Sequence, residues 1–174
     1  YKLRALFERL RPGLASATKR VLDVHAFLVL HLTGEHATSL ASADPLGLVN
    51  MVEGAWSEEL CGLARVEPRM LPRLLPPGAP IGTIRDAFCD RSGLPRGTVL
   101  VAGAGDGQAA GLGAGVLAEG SAYLNLGTAV VSGVPSKTYR TSLAFRTLYG
   151  AAPGTFLCET DLKGGTFILD WLAD

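Results

Sequence analysis

Apolar residues at Leu3, Leu6, Phe7 and Leu10 keep the three- and four-residue spacing of one helical face, so the chain opens as an amphipathic helix. Arg11-Pro12-Gly13 breaks it. The run 24–32 predicts a second helix, ended by Gly34. Residues 41–52 show little pattern and read as a loop. Ser57, with Glu58 and Glu59 behind it, reads as the cap and first turn of a helix through Ala64. Pro68, Pro72, Pro76, Pro77 and Pro80 predict an extended surface segment, followed by a short strand at 81–84 and a helix at 85–92. The run Thr98-Val99-Leu100-Val101 predicts a buried strand, and small residues from about Gly107 predict a helix. The pattern then turns strand-rich, at 122–126, 129–133 and 155–160, before a closing helix-like segment, Phe167-Ile168-Leu169-Asp170-Trp171-Leu172. The change near 116–120 divides the chain into an α/β part, 1–116, and the start of a second, 117–174. Neither end carries a cap or stop signal, so both termini are expected to lie inside a longer protein.

Composition narrows the picture. The chain has 174 residues, 48% of them hydrophobic, enough for one large domain or parts of two. Sixteen basic residues balance sixteen acidic ones, which argues against a broad nucleic-acid or anionic-membrane surface. Cys61, Cys89 and Cys158 are scattered and odd in number, with no metal-ligand spacing, so they read as buried thiols in a reducing compartment. No metal site is expected. His25, His31 and His36 read as structural or surface residues, and Trp56 as a packing anchor. No signal peptide and no bilayer-length apolar run is seen, so a cytoplasmic protein is the expectation.

Three segments could carry chemistry. Asp106 stands between Gly105 and Gly107, after a strand and at the mouth of a helix whose positive end favours a charged carboxylate. It is either a helix cap or a base that accepts a hydroxyl proton. Gly127-Thr128 joins two apolar strands; it is either an ordinary hairpin or a turn whose N–H groups and hydroxyl grip phosphate oxygens. Gly164-Gly165 opens the last helix, as a plain junction or as an approach for a nucleotide. Gly105-x-Gly107-x-x-Ala110 also fits the loose dinucleotide fingerprint, although no acid follows about twenty residues on.

In this order the segments resemble the FGGY carbohydrate kinases of the actin/hexokinase/Hsp70-type ATPase superfamily. Leu32-Thr33-Gly34-Glu35, Ala55-Trp56-Ser57, Leu71-Pro72, Ile81-Gly82-Thr83-Ile84 and Gly93-Leu94-Pro95-Arg96-Gly97-Thr98 are similar to successive family segments. Gly103-Ala104-Gly105-Asp106-Gly107-Gln108-Ala109-Ala110 resembles the block that holds the family's catalytic aspartate, and Leu126-Gly127-Thr128 its phosphate-contacting turn. The sequence departs from the family at Ala26, where many members have an acid, at Ala129, usually Ser, and at Thr166, where a glycine is usual. The family's early phosphate loop and late adenine segment do not occur in these residues.

The resemblance implies a ribonuclease H-like α/β fold, with 1–116 from the sugar-binding domain and 117–174 from the ATP-binding domain. It implies ATP-dependent phosphorylation of a sugar or polyol, a ketopentose such as xylulose being favoured, with Mg²⁺ bridging the phosphates. Asp106 would be the general base. Gly127, Thr128, Gly164 and Gly165 would meet the nucleotide, and Gly105, Gly107 and Gln108 would shape the sugar pocket. Closure of two domains would exclude water, a homodimer is a candidate assembly, and these residues alone should be inactive. The competing expectations are a non-catalytic sugar or nucleotide module and, third, a dinucleotide-binding enzyme.

Overall fold

The computed structural model describes residues 2–165 and 167–173, apart from the side chains of Phe167, Leu169 and Asp170. The expectations at Tyr1 and Thr166 therefore lie outside the described residues. Two compact units form, Tyr1–Gly103 and Ala104–Asp174.

In the first unit the opening helix α1 (Lys2–Ala5) widens into a π-helical turn, Leu6–Leu10, and a short α2 (Leu14–Ala17) follows the Pro-Gly break. Helix α3 (Val24–Thr33) begins where the Asp23 side chain accepts the Ala26 N–H at 2.6 Å and ends where Gly34 turns left-handed at φ 88°. Then come β1 (Ala37–Ser39), α4 (Leu40–Ala43), a 3₁₀ turn, Asp44–Leu46, β2 (Val49–Asn50), β3 (Ala55–Trp56) and α5 (Glu58–Ala64). Ser57 caps α5 as expected, its Oγ accepting the Leu60 N–H at 3.3 Å. The unit closes with β4 (Arg73–Leu75), β5 (Pro80–Thr83), α6 (Asp86–Ser92) and β6 (Val99–Val101). Strand β1 runs parallel to β4; β2 pairs β3, and β5 pairs β6, antiparallel.

Two apolar clusters hold this unit. One joins Phe7, Val21, Leu48, Cys61, Val66 and Leu71. Trp56 packs on it and donates its Nε1–H to the Pro72 carbonyl at 2.8 Å, the anchor expected of it. The other joins Val29, Ala37, Ile81 and Ala102.

Three expectations change here. Residues 41–52 are not a loop: Ser39 Oγ accepts the Ala41 N–H at 3.2 Å to start α4, whose Ala41 and Ala43 are buried. Elements of two to four residues are too short to show a period. The proline-rich stretch is not a surface segment: Leu71 and Pro72 are buried and β4 pairs with β1. Its prolines flank Arg73-Leu74-Leu75 rather than occupy it, leaving the strand amides free to pair. Strand β6 is not buried, since Val99 is 54% and Val101 50% exposed.

The second unit opens with α7 (Asp106–Gly113), followed by β7 (Tyr123–Leu126), β8 (Val130–Ser136), β9 (Arg146–Tyr149), β10 (Phe156–Leu162) and α8 (Phe167–Ala173). The strands form one antiparallel sheet in the order β7-β8-β10-β9. Strand β9 was not legible from the chain pattern. The dinucleotide expectation fails on topology: β6 pairs antiparallel with β5, and β7, which follows α7, pairs antiparallel with β8, so among the described residues no parallel strand–helix–strand crossover is built. Among the described residues no helix is long and apolar enough to cross a membrane.

Candidate active site

Asp106 is the first residue of α7, entered through Gly105 in extended conformation without a side-chain cap. The Asp106 carboxylate is exposed, and its Oδ1 accepts the Gly107 N–H at 2.8 Å. It therefore tethers the helix start while facing solvent, so a capping contact and a chemical role are compatible. Upstream, the Gly103 N–H donates to His25 Nε2 at 3.2 Å. Gln108 behaves differently from Asp106: it is 6% exposed and its Nε2 donates to the Tyr149 carbonyl at 3.3 Å, so its side chain faces the sheet.

The underside of α7 meets a row of residues running across the sheet. Tyr123 pairs Gly133, Gly133 pairs Glu159, and Glu159 pairs Arg146. Tyr123 and Glu159 stand two strands apart, about 9.6 Å at sheet spacing. Gly133, between them, leaves room for the Tyr123 ring to lie across it; a Cβ there would overlap the ring. The Tyr123 hydroxyl donates to Glu159 Oε2 at 3.1 Å, and Arg146 Nε donates to Glu159 Oε1 at 2.7 Å, with a second guanidinium contact through Nη2. Glu159 is 3% exposed. Burial, reinforced by the Glu159 charge, pushes the Tyr123 phenol up to about 12. This cluster escaped the reading of the sequence, where its one signal was a carboxylate directly after the apolar run Phe156-Leu157-Cys158.

The hairpin turn lies three residue pairs farther along β7 and β8, about 10 Å from the Tyr123 row. Gly127 N–H donates to the Ala129 carbonyl at 3.0 Å, so that amide already serves the turn and does not reach for a ligand. Thr128 is exposed. Gly165 is buried against this turn: a Cβ there would overlap the carbonyl oxygens of Gly127 and Thr128. Gly164 packs against Ile168 of α8. The structure thus brings Gly127, Thr128 and Gly165 together, with Gly164 beside them, and sets Asp106 at the other end of the β7–β8 ladder.

Among the described residues a Cβ on Gly127 would meet the Ala129 carbonyl at 3.6 Å and Asn125 Oδ1 at 4.0 Å, both ordinary contact distances. Among the described residues no group of three or more His, Cys, Asp or Glu could hold a metal. A magnesium ion accompanying a nucleotide would take its ligands mainly from phosphate oxygens and water, which suits this turn.

Comparison with known proteins gives the family and the fold. The family described as "FGGY family of carbohydrate kinases, N-terminal domain" matches residues 2–113. The chain is 38% identical to a xylulose kinase of Streptomyces coelicolor over 119 residues, covering 67% of this chain and 24% of that protein. It is 31% identical to an L-fuculokinase of Salmonella typhi, covering 99% of this chain and 35% of that protein. Among solved structures, a xylulose kinase from Rhodospirillum rubrum superposes with a TM-score of 0.92 at 26% identity, over 99% of this chain and 35% of that one. A gluconate kinase from Lactobacillus acidophilus, at 20% identity and a TM-score of 0.91, shares the fold. The chain spans about a quarter to a third of the length of these relatives. With the mixed α/β architecture, the glycine-flanked Asp106 and the family match over residues 2–113, the chain belongs to the FGGY family of carbohydrate kinases.

Proposed function

We propose that the protein transfers a phosphoryl group from ATP to a hydroxyl of a sugar or polyol, with a ketopentose of the xylulose type as substrate. The observation that carries this reading is Asp106, an exposed carboxylate at the start of α7 in a chain of this family. Similarity to xylulose kinases supports the ketopentose assignment. In this reading residues 1–116 belong to the sugar-binding domain and 117–174 begin the ATP-binding domain of a cytoplasmic enzyme.

Asp106 accepts the proton of the attacking hydroxyl as the hydroxyl oxygen bonds to the γ-phosphorus of ATP and the bond from that phosphorus to the bridging oxygen breaks, releasing ADP. The carboxylate sits at the N-terminal end of α7, where the helix dipole is positive. The Thr128 hydroxyl donates to a phosphate oxygen, while Gly127 and Gly165 keep side chains out of the approach. Gly105 and Gly107 let the sugar come close to the backbone. ATP with Mg²⁺, when bound, supplies the phosphoryl group and the cation that offsets its charge.

The test is sugar-dependent ADP release by the full-length protein across ketopentoses, aldoses, glycerol and other polyols. One ketopentose should dominate. Asp106→Asn should lower kcat by about 10²–10⁴-fold while sugar and nucleotide binding persist. Wild-type turnover by that variant removes Asp106 as the base. Ligand binding without turnover by the unaltered protein would favour a non-catalytic module.

A further inference from the structure

We propose that Glu159 is a positioning residue for Asp106, forming with Tyr123 and Arg146 the seat on which the start of α7 rests. The inference rests on the reading of Asp106 as the base. Its ground is the row described above. A buried carboxylate in mid-strand is costly unless its lone pairs are occupied, and here Tyr123 and Arg146 occupy both oxygens. The helix lies on this group through a face of glycines. A Cβ on Gly107 would stand 3.1 Å from Glu159 Oε2 and 3.6 Å from the Tyr123 hydroxyl, and one on Gly111 would stand 3.1 Å from two ring carbons of Tyr123. Gly107 and Gly111 are one turn apart, so the same helix face touches both members of the cluster. Among the described residues nothing stands within 4 Å of a Cβ on Gly113, which lies off that face.

The residue adjoining Gly107 is Asp106. Its backbone therefore has its height above the sheet set by a hydrogen-bonded carboxylate rather than by a compressible apolar contact. A fully satisfied polar group offers one arrangement, whereas aliphatic packing tolerates several. Displacement of a base by about 1 Å is enough to cost about 100-fold in rate. Substrate binding, which draws on other groups, need not change.

The experiment uses the full-length protein, with kcat and both KM values measured for Glu159→Ala, Tyr123→Phe, their double variant, and Asp106→Asn alongside. Glu159→Ala should lower kcat about 100-fold with both KM values within twofold. Tyr123→Phe, which removes one oxygen, should lower kcat about tenfold alone and add nothing in the Glu159→Ala background, because the two act as one unit. Glu159→Gln, which still accepts the Tyr123 hydroxyl, should recover part of the loss. Should Glu159→Ala fail to fold, Gly111→Ala, pressing on the Tyr123 ring, should lower kcat, while Gly113→Ala should leave it unchanged. Wild-type kcat in folded Glu159→Ala, additive losses, or equal effects of the two glycine variants would overturn the proposal. If Asp106→Asn abolishes turnover while Glu159→Ala does not, only the positioning role falls. If Asp106→Asn turns over normally, the base assignment falls and takes this inference with it.

Discussion

Single residues carry more definite information here than their exposure suggests. His25 is an example. Its Nε2 receives the Gly103 N–H, so that nitrogen must be unprotonated and Nδ1 must carry the hydrogen. Nδ1 then donates to Thr38 Oγ1 at 3.2 Å, which passes its own hydrogen to Asp23 Oδ2 at 2.9 Å. Thr38 is fully buried, so this order of donors is the one that satisfies it. Burial lowers the His25 pKa below its ordinary value, outweighing the opposing pull of the Asp23 charge. His36 shifts the same way, through burial and then through Arg20. A histidine lowered in the fold binds its proton more readily when unfolded. Stability is therefore intact above the ordinary value of about 6.5 and falls as pH drops from there toward the lowered folded value. Thermal unfolding of the full-length protein at pH 7.5 and 5.5 should show a drop of a few degrees, and a smaller drop in His25→Gln. Equal drops in the two proteins would mean that His25 is not a proton-sensitive link. From the sequence alone His25 read as a structural or surface residue; its partners, thirteen and seventy-eight positions away, could not be read.

Elements differ in how much of their structure is local. Helix α5 was legible because Ser57, Glu58 and Glu59 act within one turn, and α3 because a glycine at 34 takes without strain the left-handed conformation that ends it. Strands β2, β4 and β9 were missed because two to four residues hold no period, and pairing with a distant partner decides them. The entry to α8 shows the same dependence. Gly164-Gly165 suggested a helix mouth, yet what requires Gly165 is the turn 127–129, thirty-six or more residues earlier. Gly165→Ala should push that turn aside. In the full-length protein we expect the nucleotide Kd to rise about tenfold, with sugar affinity unchanged, when read by calorimetry. An unaltered nucleotide Kd would show that the turn and the glycine pair do not share a ligand.

At the scale of the whole chain, the sheet of the second unit has two unlike faces. One carries the Tyr123–Glu159 row beneath α7. The other carries Leu124, Leu126 and Leu162, each more than 60% exposed, in the rows that pair them with Ser132, Val130 and Thr160. Exposed apolar area on this scale favours association. The 174 residues expressed alone should therefore elute as oligomers in light-scattering chromatography and bind a hydrophobic dye; a monodisperse monomer that binds none would contradict this. The amino-acid order by itself determined the segment sequence of an FGGY kinase, the stop of α3 at Gly34, the cap of α5 at Ser57, and Asp106 at the mouth of α7. These depend on contacts within a turn or two, where residue type is sufficient. Tertiary structure alone decided that Pro72 is buried, that Gln108 turns toward the sheet, that Gly165 lies on the 127–129 turn, and that Glu159 sits beneath α7 with Tyr123 and Arg146. Each of those depends on strand register and on the space a missing side chain leaves between distant segments, and no local pattern encodes either.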